Sequence, residues 1–293
     1  NGLLAFNRIF DRIIENQGGG GYWCYTSGGC SDSSTTQLVM AGLAAARGLY
    51  ANNDFRGDVR LNRVNERTAR TRDGYAANGV AGALGNNERG HGYRAGSGSV
   101  SYQQTASGLW CQIIGGADIS NQSIQSYLRW LYHRYNYTSI AAAEEGWAQS
   151  YYYYLWSSAK AYTFLEDAGL EAPAGGVHPG DLGLLASDQA PGFGSRQVHL
   201  EPAAVTRVGR RGAGGAGYYV HPREPARWYF DYAYTLMSHQ DGEGRFVSPA
   251  GNWDLATSQA YALLVLEKSV GGGCVDTDED TVCDYEENCP QGA

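Results

Sequence analysis

The sequence predicts an all-α chain of eight helices, arranged as four pairs with a loop inside each pair. Three observations carry that prediction. Apolar residues recur at three and four residue spacing in eight separate segments. Glycine-rich and aromatic stretches stand between those segments and punctuate them. One short unit, a glycine and an aromatic followed by a capped helix start, returns four times along the chain.

The first helix is read from Leu3, Leu4, Phe6, Ile9, Phe10, Ile13 and Ile14, a single apolar stripe that Gly18 to Gly21 bring to an end. A loop with Tyr22, Trp23, Cys24 and Tyr25 leads to a second helix over about 33–50, where Asp32 is placed as N-cap. Residues 58–72 form an exposed, arginine-rich helix, and a long Gly/Asn loop follows through Gly98. Small and apolar residues make a helix of about 101–114, and Ile124, Tyr127, Leu128 and Leu131 mark one face of another over 120–135. A long aromatic helix spans 147–165, and two more cover 225–239 and 255–270. Residues 170–223 are rich in Gly, Pro and Ala and have no helical period. They are too long for an ordinary connection and read as an insertion or lid, with 197–208 suited to a strand.

The repeated unit is clearest at Asp32-Ser33-Ser34-Thr35-Thr36-Gln37, which matches Asp254-Leu255-Ala256-Thr257-Ser258-Gln259 at the Asp, the Thr, the next hydroxyl and the Gln. A glycine and an aromatic precede each match, at Gly21-Tyr22-Trp23 and at Gly244-Arg245-Phe246. Weaker copies stand at Ser101 to Ala106, behind Gly92-Tyr93, and at Glu145 to Ser150. An Asp or Ser cap with hydroxyls behind it satisfies the free N–H groups of a helix start. Stacked pairs of this kind bring their capped N-termini to one face, whose partial positive potential suits a ligand.

At these residues the chain resembles the prenyltransferase and squalene-cyclase repeat. The resemblance covers residues 1–273 apart from the insertion, and implies an alpha/alpha toroid of inner and outer helices. Six hairpins complete that toroid in the family and four are found here, so the ring is expected to be partial. The family's catalytic signatures do not carry over. The acidic run Asp278-Glu279-Asp280 lies outside the toroid, Cys111 lacks the neighbouring Asp of a zinc-binding prenyltransferase, and the thioester motif Cys-Gly-Glu-Gln is absent.

The tail from Asp276 to Pro290 resembles a thrombospondin type 3 calcium repeat. With Asp276 as position 1, Asp278, Asp280, Asp284 and Glu287 fall at 3, 5, 9 and 12, and the Val282 carbonyl falls at 7. That is also the oxygen spacing of an EF-hand loop, so calcium is the expected cofactor. Thr281 stands where glycine ordinarily supplies a positive φ, at a cost on the order of 1 kcal/mol.

Composition sets the class of partner. The 293 residues are 43% hydrophobic and 18% charged, enough to bury a sizeable core, with no apolar run long enough to span a bilayer. Net charge is −8, and residues 274–293 hold seven acids and no base, so the rest is nearly neutral and nucleic acid is excluded as a partner. The six cysteines lack zinc-ribbon spacing. Cys24, Cys30, Cys274, Cys283 and Cys289 are read as disulfide cysteines with their pairing open, and Cys111 as a buried thiol. This places the chain in a secreted or cell-surface setting. The sequence opens at Asn1 with no basic-then-apolar leader, so either a targeting segment has been removed or the sequence is a fragment.

No catalytic set emerges. Glu144 and Glu145 pair as acids before the aromatic helix, and His91 with Tyr93 and Arg94 offers a base, a proton donor and a carboxylate clamp. These, with Asp32, are the residues an enzyme acting on glycans or isoprenoids would use. The 22 tyrosines and 7 tryptophans point instead to binding. Tyr151, Tyr152, Tyr154, Trp156, Trp147 and Tyr93 are the candidate ligand contacts, because amphipathic rings suit sugar faces and wet interfaces. The sequence therefore predicts a non-catalytic binding or structural module whose partner is a cell-surface glycan or further copies of itself, assembled as a fibre or surface layer.

Overall fold

The computed structural model describes residues 2–26, 29–52, 55, 58–82, 87–135, 151–182, 228–247 and 254–267. These are mostly helical. In chain order they form α1 (Gly2–Glu15), α2 (Ser33–Ala51), α3 (Val59–Asn78), β1 (Val80–Ala81), β2 (Arg89–Gly92), β3 (Val100–Ser101), α4 (Tyr102–Ile114), α5 (Gln122–His133), α6 (Tyr151–Asp167), α7 (Trp228–Ser238) and α8 (Leu255–Leu266). The predicted helices and the described ones agree in place. Tail residues 274–293, with every expected calcium ligand and Cys274, Cys283 and Cys289, lie outside the described residues, as do Glu144, Glu145, Trp147 and the 197–208 strand.

α4 is the centre of the molecule. Every residue of it but Ile113 is buried, and it packs on α2, α3, α5 and α6. α6 packs in turn on α4 and α8, so α2, α4, α6 and α8 are successive neighbours. A helix buried all round needs small residues where partners come close. A Cβ on Gly108 of α4 would meet the ring edges of Tyr75 from α3 and Tyr127 from α5 at 2.8 and 2.7 Å.

Helix starts follow the repeated unit. Asp32 accepts from the Thr35 N–H at 2.7 Å, and Asp254 accepts from the Thr257 N–H at 2.7 Å. Ser101 does the same for Gln104. The unit also holds the preceding loop. The Trp23 N–H donates to Thr36 Oγ1 at 2.9 Å, and the His91 N–H donates to Thr105 Oγ1 at 2.9 Å, each hydroxyl lying four residues after its cap. At α8 the same task falls to Gln259, whose amide accepts from the Phe246 N–H and donates to the Phe246 carbonyl. The repeat therefore joins a cap to a loop clamp, and the clamp orients the aromatic.

Three features depart from the sequence expectation. α3 runs on to Asn78 rather than ending near Arg72, because Gly74 serves as a contact and not as a stop: a Cβ there would strike the Gly20 carbonyl. The Gly/Asn loop holds a three-stranded antiparallel sheet in the order β1-β2-β3, pairing Val80 with Gly90 and His91 with Ser101. These strands are two to four residues long, too short for alternation to show. Finally, only Phe10 and Ile14 of the α1 stripe are buried, while Leu3, Leu4, Phe6 and Ile9 are exposed.

Polar anchors fix the rest. Glu88 receives two hydrogen bonds from the Arg134 guanidinium, both at 2.9 Å, and a contact with His133 Nδ1 at 2.8 Å, all buried; Arg134 also lies over the Trp130 ring. The start of the expected insertion is ordered as well. The Gln125 amide brackets Val177, donating to its carbonyl and accepting from its N–H, and a 3₁₀ turn follows at Pro179–Asp181.

The clamp predicts the behaviour of one substitution. Thr105→Val keeps the volume and leaves the buried His91 N–H without its acceptor, a loss of about 1–3 kcal/mol. Urea unfolding reads it directly, and a change below about 0.5 kcal/mol, the size of a neutral surface substitution, contradicts the clamp.

Candidate functional site

The site is built where the loop before α2 meets the β2–β3 connection. A cavity of about 400 Å³ lies there, lined by Gly18, Gly19, Gly20, Tyr22, Cys30, Ser31, Asn78 and Arg94. Gly21 makes the entry to the loop possible: its φ is +88°, and a Cβ would collide with the Arg70 carbonyl. Cys30, joined to Cys24 by a disulfide, is also part of the lining. Ser31 receives the Ala95 N–H at 3.0 Å, and Asp32 pairs with both Trp23 and Arg94 through the backbone, so the two loops move as one.

Charge in the cavity is one-sided. Its lining residues include no acid, and the Arg94 side chain is exposed at the rim with no hydrogen bond or ion pair among the described residues. An unspent guanidinium over a wall of glycine backbone and small polar groups fits an oxygen-rich, negatively charged ligand. Outside the lining of the cavity, Tyr25 is 74% exposed and Tyr93 is 36% exposed. Burial and then the hydrogen bond to Asp32 push the Tyr93 phenol up to about 12, so it stays a neutral donor. Tyr93 adjoins Arg94 in the chain, and both rings lie outside the residues that line the cavity.

Beneath the cavity Tyr22 is fixed by a buried relay. Its hydroxyl lies 3.1 Å from His91 Nε2, and His91 Nδ1 lies 2.7 Å from the Gly92 carbonyl and 3.1 Å from Ser33 Oγ. A carbonyl only accepts, so Nδ1 carries the proton and Nε2 accepts from Tyr22. His91 is wholly buried, and desolvation lowers its pKa to about 4. The Tyr22 phenol is raised for the same reason. Both groups are neutral at pH 7, and the pair orders the cavity floor.

The other sequence candidates are distributed differently. Asp32 is buried and spends its carboxylate on the α2 cap, with Ser34 Oγ donating at 2.9 Å as well as the Thr35 N–H. Tyr152, Tyr154 and Trp156 are buried in the seams between helices. The Tyr152 hydroxyl donates to the Val247 carbonyl, Tyr154 packs on Tyr102 at 4.8 Å, and Trp156 packs on Trp110 at 5.4 Å. Tyr151 lies at the first position of α6, and its side chain is outside the described residues. Among the candidates, Tyr93 is the exposed ring beside Arg94, and His91 lies under the floor. Tyr22, Asn78 and the Gly18 to Gly20 wall were not singled out; the glycine run before Tyr22 was the available signal.

Among the described residues no group of three His, Cys, Asp or Glu side chains converges to hold a metal ion, and no helix is long and apolar enough to cross a membrane. No family model, curated protein or solved structure matches the chain.

The buried imidazole predicts an acid-sensitive fold. The native pKa lies below the unfolded value of 6.5, so the stabilisation is fully present above pH 6.5 and is lost as pH falls toward 4. The loss from this group amounts to about 3 kcal/mol. Urea melts between pH 7.5 and 4.5 show it, and His91→Gln flattens that slope; an unchanged slope in the variant contradicts the assignment.

Proposed function

We propose that this chain is a secreted or cell-surface binding module without catalytic activity, built as a partial alpha/alpha toroid and stiffened by a calcium-binding tail. The observation that carries the proposal is the unspent Arg94 guanidinium on a cavity whose lining residues include no acid, with the exposed ring of Tyr93 next to it in the chain and the exposed ring of Tyr25 outside the lining. A guanidinium with exposed tyrosines suits an acidic glycan, with the carboxylate on Arg94 and a sugar face on a ring. His91, the histidine beneath this cavity among the described residues, is neutral and enclosed, which favours binding over chemistry. The order of packing from α2 through α4 and α6 to α8 is what inner helices of a toroid would have. Exposed Leu3, Leu4, Phe6 and Ile9 on α1 give copies of the chain an apolar surface to share.

Titration with an oligouronate tests the ligand reading. Arg94→Ala is expected to weaken binding at least ~10-fold, the worth of one charge-assisted pair, and Tyr25→Ala to weaken it less, with the circular dichroism spectrum unchanged. Equal affinity for a neutral oligosaccharide and for the oligouronate contradicts it.

The tail has its own test. Saturating calcium is expected to raise the melting temperature of the native chain, and Asp276→Ala combined with Asp280→Ala to abolish that rise. Equal calcium-dependent melting in both chains overturns the assignment of the tail.

A further inference from the structure

A second polar site lies deeper in the helices, away from the Arg94 cavity. Lys160 sits on α6 with 3% of its surface exposed, and among the described residues Nζ finds no acceptor and no carboxylate within ion-pair distance. Burying an ammonium without a partner is costly, and native chains ordinarily pair such a group or bring an anion to it. Its surroundings repeat the same imbalance. Trp156, one turn before it on α6, has its indole Nε1–H buried with no acceptor, and Thr163, one turn after it, has Oγ1 in the same state. Across the seam, Trp110 of α4 packs edge-on against Trp156 at 5.4 Å, and its Nε1–H is also buried and unspent. Gln37 of α2 accepts from Ser157 at 3.0 Å and leaves its Nε2 amide without an acceptor.

Lys160 and Trp156 thus place two buried donors without acceptors on one stripe of α6, and Trp110 adds a third from α4, which also carries the buried acceptors Gln104 Oε1 and Gln112 Oε1 without donors. The flanking surface is aromatic: Tyr261 of α8 packs on Trp156 at 5.2 Å, and Phe164 lies 6.5 Å from Trp110. From the juxtaposition of Lys160, Trp156 and Trp110 we infer a binding site for a small organic carboxylate with a planar apolar body. One oxygen takes the Lys160 ammonium, the other takes an indole N–H one helical turn away, and the apolar part lies against the rings. The charge environment agrees. Burial lowers the Lys160 pKa to about 8, Glu267 at the end of α8 opposes that fall, and α4 offers no charged side chain. A bound carboxylate restores the missing countercharge and holds the ammonium protonated.

Benzoate is the probe, with acetate and sulfate as controls, read by melting temperature and tryptophan fluorescence on the full chain. Benzoate is expected to stabilise the chain saturably, to perturb indole emission, and to bind more weakly as pH rises above about 8, where free Lys160 loses its proton. Lys160→Met is expected to melt no lower than the native chain without ligand, since an unpaired buried charge is removed, and to bind benzoate at least ~10-fold more weakly. Trp156→Phe keeps a ring and removes the donor; it is expected to weaken binding and serves as the test should Lys160→Met fail to fold. Equal responses to benzoate and sulfate, an unchanged benzoate affinity in the variants, or no saturable response overturns the inference.

Discussion

The structure depends on a backbone constraint that is met the same way at successive helices. A loop that must lie against a buried helix start brings N–H groups out of water, and each needs an acceptor. At α2 and α4 the acceptor is a threonine hydroxyl four residues past the cap, which takes the N–H of Trp23 and of His91. At α8 the acceptor is the Gln259 amide. Because clamp and cap sit on the same turn, the loop residue cannot shift without disturbing the helix start. That rigidity is what places Tyr22 under a cavity and Arg94 at its rim.

A second constraint follows from α4. A helix enclosed on all sides has no polar face, and α4 meets the requirement with small residues and satisfied hydroxyls, such as Ser107 donating to the Gln103 carbonyl at 2.7 Å. The neighbouring aromatic residues fill what remains, which is why so many tyrosines of this chain are interior. Some of their hydroxyls find partners as they go under: Tyr127 donates to the Tyr75 carbonyl and Tyr135 to Asp231. Buried tyrosine here is a way of packing bulk while delivering a donor across a helix seam.

The same arrangement explains how much was legible in sequence. Helix positions were readable because caps and apolar spacing are local, and Asp32, Ser101 and Asp254 act as the caps their residue types suggest. The short sheet was not readable, since pairing of His91 with Ser101 is decided by the clamp and not by alternation. The α1 stripe was readable as apolar but not as exposed, because exposure depends on what packs against it. At the site, His91, Tyr93 and Arg94 are adjacent in sequence, yet the chain turns His91 inward to Tyr22 and leaves Arg94 outward. Composition cannot separate those fates. The aromatic run of α6 shows the converse, where residues that read as a ligand surface, Tyr152, Tyr154 and Trp156, form helix seams.

The central claim is that the Arg94 cavity and the exposed Tyr25 and Tyr93 form a binding surface and not a reacting one. A crystal structure of the chain grown with a diuronide and calcium tests it most directly. The account predicts the sugar carboxylate on the Arg94 guanidinium, a pyranose face against Tyr25 or Tyr93, an intact glycosidic bond, and His91 still enclosed between Tyr22 and Gly92. A cleaved diuronide, or one bound away from Arg94, would contradict it.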